Sequence, residues 1–302
     1  MLVNNAIELI GNTPVLRVNK MTEENDGEVF VKLEKFNPGS SIKDRAALGM
    51  IEQAEREGIL NHDSVIVEPT SGNTGIGIAL VGKLKGYKVV IVMPETMSKE
   101  RRDMIKAYGA ELILTEGKKG MKGAIEKAEE LVKEKGYFMP QQFENKANAK
   151  KHYETTAEEI LKDIPDIDVF VAGVGSGGTI VGVGKRLKEL KPDVKIVAVE
   201  PEKSPVLAGG NPGAHKIQGI GAGFIPSLYS ADNVDEIFEV SDENSYKTAR
   251  DFASKEGILI GISSGAALYA GIEIAKKIGK GKKIVVIAPD GGEKYFSSGL
   301  YD

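Results

Sequence analysis

The sequence contains no cysteine, which excludes disulfides, thiol nucleophiles, iron–sulfur clusters and every cysteine-based zinc site. No apolar run approaches the roughly 18 residues of a membrane-spanning helix. The N-terminus lacks the basic start and apolar run of a secretory signal, so we expect a cytoplasmic protein. A basic excess is also missing, because 40 Lys and Arg stand against 44 Asp and Glu. This balance argues against a protein that binds the phosphate backbone of nucleic acids.

Histidine is scarce, and none of the three histidines stands at helical spacing from another metal ligand. We therefore expect no metal site, and structural roles for His62, His152 and His215. Glycine, in contrast, is abundant, at 36 of 302 residues. The glycines do not form low-complexity sequence, so we expect them in special turns and at close approaches of the backbone.

Short apolar runs alternate with longer helical patterns along the chain. The runs are continuous, which is typical of parallel strands covered by helices on both faces. The predicted strands are Glu28–Leu33, Val65–Glu68, Lys88–Met93, Glu111–Leu114, Val169–Ala172, Lys195–Glu200 and Lys283–Ala288. Helical patterns lie near 43–57, 73–85, 98–108, 120–135, 145–162, 179–190, 242–256 and 264–279. This alternation predicts an α/β fold of mostly parallel, twisted sheets flanked by helices.

The length of the chain suggests two domains of ordinary size. We place the boundary before the helix that carries Tyr153, which gives an N-terminal domain of residues 1–145 and a C-terminal domain of residues 146–302. About the first 35 residues are candidates for crossing to the other domain. The Gly- and Pro-rich segment 209–226 has no periodicity, and we expect a long functional or mobile loop there.

A glycine-rich turn joins a predicted strand to a helix that begins at Thr179. Backbone N–H groups at such a helix start point towards one spot, where the helix dipole favours an anion. The turn is therefore a candidate phosphate cradle. The spacing of Gly173, Gly175 and Gly178 also fits a dinucleotide-binding turn, with Glu200 as the ribose-binding acid. Taken alone, the segment leaves open a phosphate site, an NAD-dependent enzyme and a merely tight turn.

Residues 70–75, with the sequence Thr-Ser-Gly-Asn-Thr-Gly, open another predicted helix after the strand that ends at Glu68. Three hydroxyls and an amide lie there beside the backbone N–H groups of a helix start. Such a cluster suits a carboxylate whose orientation must be fixed. The alternative is an ordinary N-cap, although a cap needs one such residue rather than four in five.

Lys43 lies in the first turn of a predicted helix that Ser40 and Ser41 can cap. The helix dipole places positive charge at that end and disfavours the charged form of the lysine. A lysine in such a position suits Schiff-base chemistry. The alternative is a surface lysine paired with Asp44 or Glu34.

Two further segments give weaker signals. Ser263 and Ser264 open an Ala- and Gly-rich helix in which small residues would let a flat molecule lie close, although by themselves they fit an N-cap better. Gln141 and Gln142 follow a predicted strand. Neighbouring strand residues face opposite ways, so only one glutamine is expected to point into a cleft.

A phosphate cradle, a carboxylate-binding loop and a lysine at a helix start together indicate pyridoxal phosphate with an amino-acid substrate. An NAD site would account only for the first of the three. The sequence resembles the cysteine synthases (O-acetylserine sulfhydrylases), which have the tryptophan synthase β-subunit fold type of pyridoxal-phosphate enzymes. The resemblance runs in order through residues 10–19, 37–45, 68–76, 93–102, 109–125, 141–160, 171–179, 215–226, 261–267 and 289–295.

The resemblance implies a role for each matching residue, in an active site in the cleft between the two domains. Lys43 would bind the cofactor and act as the catalytic base, Asn73 would bind the cofactor's 3′-oxygen, and Ser264 would face its pyridine nitrogen. The implied phosphate-binding loop is Gly175, Ser176, Gly177, Gly178 and Thr179. The implied carboxylate site is Thr70, Ser71, Thr74 and Gln142, and the loop near the substrate amine contains Gly219 and Gly221.

The implied reaction is a β-replacement that forms L-cysteine from O-acetyl-L-serine and sulfide through an α-aminoacrylate intermediate. A neutral hydroxyl at Ser264 in place of a carboxylate favours β-elimination and replacement over transamination. O-phosphoserine sulfhydrylase and cystathionine β-synthase-like reactions are the alternatives, and an NAD-binding dehydrogenase is a remote one. The resemblance also implies a homodimer and a possible partner in the C-terminal peptide of serine acetyltransferase. From the charge balance and the lack of long apolar runs, we expect no nucleic-acid or membrane partner.

Overall fold

A computed structural model describes residues 2–302 of the chain, which divides into two compact units. The first unit comprises the residues up to Ile10 and Asn37–Asn148, and the second comprises Gly11–Phe36 and Ala149–Asp302. The sequence placed the boundary after residue 145 and named the N-terminal residues as candidates for crossing. Among the helices of residues 2–302, none combines the length and the hydrophobicity of a membrane-spanning segment.

Nine strands are described between residues 2 and 302: β1 (Val15–Arg17), β2 (Glu28–Leu33), β3 (Val65–Pro69), β4 (Lys88–Pro94), β5 (Glu111–Thr115), β6 (Val169–Gly173), β7 (Lys195–Pro201), β8 (Glu236–Val240) and β9 (Lys283–Ala288). The α-helices over the same range are α1 (Lys43–Arg56), α2 (Asn73–Leu84), α3 (Lys99–Ala107), α4 (Gly120–Lys135), α5 (Lys146–Lys151), α6 (Ala157–Asp163), α7 (Gly178–Leu190), α8 (Asp242–Glu256) and α9 (Ile262–Ile278). A π-helical segment, His152–Thr156, joins α5 to α6. Short 3₁₀ turns span Ala6–Leu9, Glu34–Phe36, Gly117–Lys119, Ala231–Asn233 and Gly292–Ser298.

The first unit contains a parallel sheet in the order β3-β4-β5. One face, with Ile66 and Ile91, packs against α1 and α2, and the other, with Val67 and Val90, packs against α4. A parallel bridge from Ile66 to Phe138 extends the sheet on the other side of β3. Strands β4 and β5 are thus added on one side of β3, and the segment at Phe138 is added on the other, so the strand order reverses at β3. Ligands of α/β proteins bind at the carboxyl ends of strands at such a point.

The second unit contains a six-stranded sheet in the order β1-β2-β9-β6-β7-β8, in which only β1 pairs antiparallel among the described strands. β7 and β8 follow on one side of β6, whereas β9 lies on its other side, with Val171 opposite Val286. The order reverses between β6 and β9, so the turns that follow these two strands meet at one edge of the sheet.

The predicted α/β class with mostly parallel sheets is confirmed. Each predicted strand is present, with bounds that agree to within one residue. The sequence missed β1, which has three residues, and β8, in which apolar and charged residues are mixed. The helix predicted near 145–162 is divided into α5, the π-helical segment and α6.

Candidate active site

Lys43 is the first residue of α1, as the sequence predicted. Ser41 is buried, and its Oγ accepts the backbone N–H of Lys43 at 3.2 Å. The carboxylate of Asp44, also buried, accepts the N–H of Gly39 at 2.5 Å and so closes the preceding turn. These two hydrogen bonds fix the backbone on both sides of the lysine.

Helix α2 passes close to Lys43. A Cβ at Gly77 would lie 2.8 Å from the carbonyl oxygen of Lys43, so only a glycine lets the two helices approach this closely. Gly77 follows Asn73 by about one helical turn. The start of α1 and the first turns of α2 therefore lie together within this unit.

The polar residues before α2 do not act as ordinary helix caps. The N-cap position belongs to Gly72, which makes no side-chain cap hydrogen bond. Thr70 is buried and accepts the N–H of Gly72 at 3.2 Å, which shapes the loop itself. The hydroxyl of buried Thr74 donates to Oε1 of Gln142 at 2.6 Å. The structure thus brings together two of the segments that the sequence indicated separately.

The two glutamines after Pro140 face differently, as predicted, but the predicted reason is wrong because neither lies in a strand. Gln142 is buried, whereas Gln141 is exposed and has a φ of +57°. Such a φ is uncommon for a residue other than glycine. A sharp turn, rather than strand alternation, points Gln142 inward.

The carboxylate of Glu68 anchors this turn, a role that was not predicted from the sequence. Its two oxygens accept the backbone N–H groups of Gln141 at 3.1 Å and of Gln142 at 3.2 Å. Burial raises the pKa of Glu68 to about 7, and the two backbone hydrogen bonds oppose that rise. A charged residue at the end of an otherwise apolar strand was the signal that could have identified it.

The glycine-rich turn of the second unit begins α7. Gly177 is the N-cap residue, with a φ of +86° and no side-chain cap hydrogen bond. A Cβ at Gly175 would lie 2.5 Å from the carbonyl oxygen of Gly219. The N–H of Gly221 donates to the carbonyl of Val174 at 3.1 Å. The turn and the loop that contains Gly219 and Gly221 are therefore packed backbone to backbone.

His152 contacts the end of this turn, a role that the sequence did not predict. The imidazole is 2% exposed, with Nδ1 2.9 Å from the hydroxyl of Thr156 and Nε2 3.4 Å from that of Thr179. It lies in the π-helical segment, an irregularity that often marks functional sites. The signal was its position in the segment 141–160, one of those that carry the family resemblance.

Ser264 is fully buried in the first turn of α9. Gly261 holds the N-cap position without a side-chain hydrogen bond, so the serine is not the cap. Its hydroxyl donates to the carbonyl of Asp290 at 3.3 Å. Asp290 follows β9, which pairs with β6, so Ser264 is held at the same sheet edge as the glycine-rich turn.

The pyridoxal-phosphate dependent enzyme family matches residues 7–290 of the chain. A cysteine synthase of Staphylococcus aureus is 56% identical over 301 residues, which cover 99% of this chain and 97% of that protein. The chain belongs to the pyridoxal-phosphate dependent enzymes, in the family of the cysteine synthases. The family resemblance drawn from the sequence motifs is confirmed.

Solved structures are also similar to the chain over nearly its full length. A cysteine synthase from Entamoeba histolytica superposes with a TM-score of 0.96 at 47% identity, covering 100% of this chain and 91% of that one. A hydrogen sulfide-producing enzyme from Fusobacterium nucleatum has a TM-score of 0.94 at 51% identity, covering 98% of this chain and 99% of that one.

The chain's own residues fit the cofactor of the family. The glycine-rich turn offers a helix start without a side-chain cap, which suits the phosphate group. A Cβ at Gly175 or Gly177 would meet the backbone of Gly219 or Tyr229, so only glycine lets these segments pack this closely around the turn. Ser264 supplies a buried neutral hydroxyl, which suits a cofactor whose pyridine nitrogen has no charged partner.

The interpretation of the same turn as a dinucleotide site requires Glu200 to bind a ribose, but the oxygens of Glu200 are already engaged. The carboxylate of Glu200 accepts the backbone N–H groups of Leu207 at 2.8 Å and of Ala208 at 2.9 Å. Burial raises its pKa, against the effect of these two hydrogen bonds. Glu200 therefore holds the start of the long loop instead of presenting its oxygens to a ribose.

Proposed function

We propose that this protein forms L-cysteine and acetate from O-acetyl-L-serine and sulfide, with pyridoxal phosphate as cofactor. The observation that carries the proposal is the hydrogen bond between Thr74 and Gln142, because it brings together two polar segments that can form a carboxylate site at the start of the helix that lies against Lys43. The cysteine synthase of S. aureus, at 56% identity, supports this choice of reaction.

In the proposed reaction, Lys43 would hold the cofactor until the substrate amine displaces it, and the freed Lys43 amine would then move the proton at Cα of the substrate. The bound cofactor supplies an electron sink that weakens the bonds at Cα. The Lys43 amine accepts the Cα proton, and acetate leaves with the electron pair of the Cβ–O bond. A lone pair of sulfide forms the new Cβ–S bond, and Lys43 returns the proton to Cα.

The remaining residues bind and orient. The backbone N–H, hydroxyl and amide groups of Thr70, Ser71, Thr74 and Gln142 form the site for the substrate carboxylate, in which the Thr74 hydroxyl orients the Gln142 amide. Asn73 binds the 3′-oxygen of the cofactor. Gly175, Ser176, Gly177, Gly178 and Thr179 hold its phosphate through backbone and hydroxyl groups. Ser264 meets the pyridine nitrogen with a neutral hydroxyl, and the backbone at Gly219 and Gly221 lies near the substrate amine.

The test is the purified protein with pyridoxal phosphate. We expect a yellow protein whose visible absorbance shifts when O-acetylserine is added, and release of cysteine when sulfide follows. Lys43→Ala should abolish the turnover, whereas the exposed Lys99→Ala should retain it. A fully active Lys43→Ala variant, or a colourless wild type that turns over at full rate, contradicts the proposal.

Two neighbouring reactions differ in the donor or in the nucleophile. O-phosphoserine would replace the acetyl donor, and serine with homocysteine would give cystathionine. Turnover with each pair, measured beside O-acetylserine and sulfide, decides between them. We expect the largest kcat/KM for O-acetylserine and sulfide, and a larger value for either other pair would replace the assignment.

The homodimer and binding of the serine acetyltransferase C-terminal peptide stay predictions from the family resemblance, and the cytoplasmic location stays a prediction from the sequence. Size-exclusion chromatography with light scattering measures the oligomeric state. Titration with the peptide, followed by cofactor absorbance and by competition with O-acetylserine, measures peptide binding. A protein that elutes as a monomer, or a peptide that does not compete, contradicts the corresponding prediction.

A further inference from the structure

Glu68 is a fully enclosed carboxylate in a strand that otherwise buries apolar residues. It is 2% exposed and stands opposite Ile91 in the register of β3 and β4. A carboxylate in such surroundings is retained only where hydrogen bonds compensate for the loss of water. We therefore expect the hydrogen-bond partners of this carboxylate to show its role.

The carboxylate binds two consecutive backbone amides. One oxygen accepts the N–H of Gln141 and the other accepts the N–H of Gln142, at 3.1 and 3.2 Å. Gln141 has a φ of +57°, a strained conformation that persists only where its surroundings enforce it. Glu68 supplies that enforcement, since both hydrogen bonds require the turn in this conformation.

Gln142 is in turn fixed at both its backbone and its side chain. Asn148 donates from Nδ2 to the carbonyl of Gln142 at 3.0 Å, which holds the other end of the residue. Thr74 donates to Oε1 of the side chain at 2.6 Å. Because Oε1 faces Thr74, the Nε2 group points its two N–H donors away from that hydroxyl.

We propose that Glu68 is a positioning residue, whose carboxylate holds the Gln141–Gln142 turn so that Gln142, whose Oε1 accepts the hydroxyl of Thr74, presents its Nε2 donors to the carboxylate of the amino-acid substrate. This inference rests on the proposed function, since it assigns the substrate carboxylate to these donors. Glu68 acts through Gln142 and does not itself touch the substrate.

The test is Glu68→Gln, which keeps the size of the side chain and replaces one acceptor oxygen by a donor. We expect KM for O-acetyl-L-serine to rise at least tenfold, kcat to change less than about threefold, and the affinity for pyridoxal phosphate to be unchanged. Hydrogen–deuterium exchange of the peptide that contains residues 139–145 should accelerate at least tenfold. The matched control is Glu111→Gln, an exposed glutamate of β5 in the same sheet, which should change none of these values.

Glu68→Asp is the second variant, because it keeps the charge but withdraws the oxygens by one methylene. This variant should also raise KM and leave kcat unchanged. It tests the proposal if Glu68→Gln does not fold. An unchanged KM in either folded variant overturns the proposal. A parallel loss of kcat, cofactor affinity and stability also overturns it, because that result describes a purely structural residue.

The two proposals fail in different ways. If wild-type protein forms no cysteine, the proposed function is wrong, while hydrogen exchange still reports whether Glu68 holds the turn. If wild-type protein forms cysteine and Glu68→Gln has the same KM, only the role of Glu68 is wrong.

Discussion

The hydroxyl of Thr74 donates to Oε1 of Gln142 across 2.6 Å, although 68 residues separate the two in the chain. Thr74 lies in the first turn of α2, and Gln142 follows the segment that bridges to β3 on its other side. The reversal of strand order at β3 brings them together. One hydrogen bond thus connects the local geometry of two loops to the proposed recognition of an amino acid.

Removal of the Thr74 hydroxyl should weaken substrate binding. In Thr74→Val the side chain keeps its shape, but Oε1 of Gln142 loses its donor and the amide can rotate. We expect KM for O-acetylserine to rise roughly tenfold to a hundredfold, as for the loss of a hydrogen bond to a charged group. Steady-state kinetics measure it.

Thr115→Val is the matched control for this substitution. The Thr115 hydroxyl is buried and has no hydrogen-bond partner among residues 2–302, and it lies at the end of β5. The control should keep the wild-type KM. An equal rise of KM in both variants contradicts the role of Thr74.

Gly177→Ala should lose cofactor affinity. The position has a φ of +86°, and a Cβ would lie 3.2 Å from the backbone nitrogen of Tyr229. Gly86→Ala is the comparison, because its φ is +88° and no atom lies within 4 Å of its Cβ. Both variants should lose about 1–2 kcal/mol of stability from the left-handed backbone.

Only Gly177→Ala should also weaken pyridoxal phosphate binding, because only there does the added methyl displace the candidate phosphate loop. Fluorescence titration of the cofactor and thermal unfolding separate the two effects. Equal cofactor affinity in the two variants contradicts the assignment of the loop.

His152→Leu should weaken cofactor binding without unfolding the protein. The imidazole lies 3.4 Å from the hydroxyl of Thr179, the last residue of the proposed phosphate loop. Loss of this contact corresponds to about 1 kcal/mol, or roughly a fivefold rise in the dissociation constant of pyridoxal phosphate. His62→Leu, at an exposed position, should leave the constant unchanged. An unchanged constant in His152→Leu means that Thr179 does not depend on the histidine.

Glu68 should make the stability of the protein depend on pH in an unusual direction. Its pKa is raised from 4.5 in the unfolded chain to about 7 in the folded one, so the folded state binds more protons between these values. The free energy of unfolding therefore falls as pH rises through this window, by about 3 kcal/mol for this group.

Urea unfolding at several pH values between 4.5 and 8 measures this contribution. As pH rises through this window, the free energy of unfolding of Glu68→Gln should increase relative to that of wild type by about the same amount. Glu111→Gln should keep a constant difference from wild type. A constant difference for Glu68→Gln as well contradicts the raised pKa.

The sequence predicted the elements of the fold well because most strands are continuous apolar runs with glycine or proline nearby. It missed β8, whose glutamates interrupt the apolar run at an edge of the sheet. It also missed β1, which is too short to show a pattern. Such strands are defined by their neighbours in the sheet, which periodicity does not report.

The candidate site could be predicted only as separate loops. The clusters around Lys43, Thr74 and Gly175 carry local signals of helix starts, which the structure retains. Glu68 and His152 do not lie at a helix start. Their roles arise from contacts with Gln142 and Thr179, which distant parts of the chain provide. Neither the strained turn at Gln141 nor the π-helical segment is encoded by a recognisable short pattern.

The proposed chemistry depends on the amine of Lys43, which would bind pyridoxal phosphate. Borohydride reduction of the protein with its cofactor, followed by proteolysis and mass spectrometry of the peptides, identifies the lysine that carries the cofactor. We expect a phosphopyridoxyl group on Lys43, and its loss when O-acetylserine is added before reduction. A label on another lysine, or no label on a protein that is yellow and active, would contradict it.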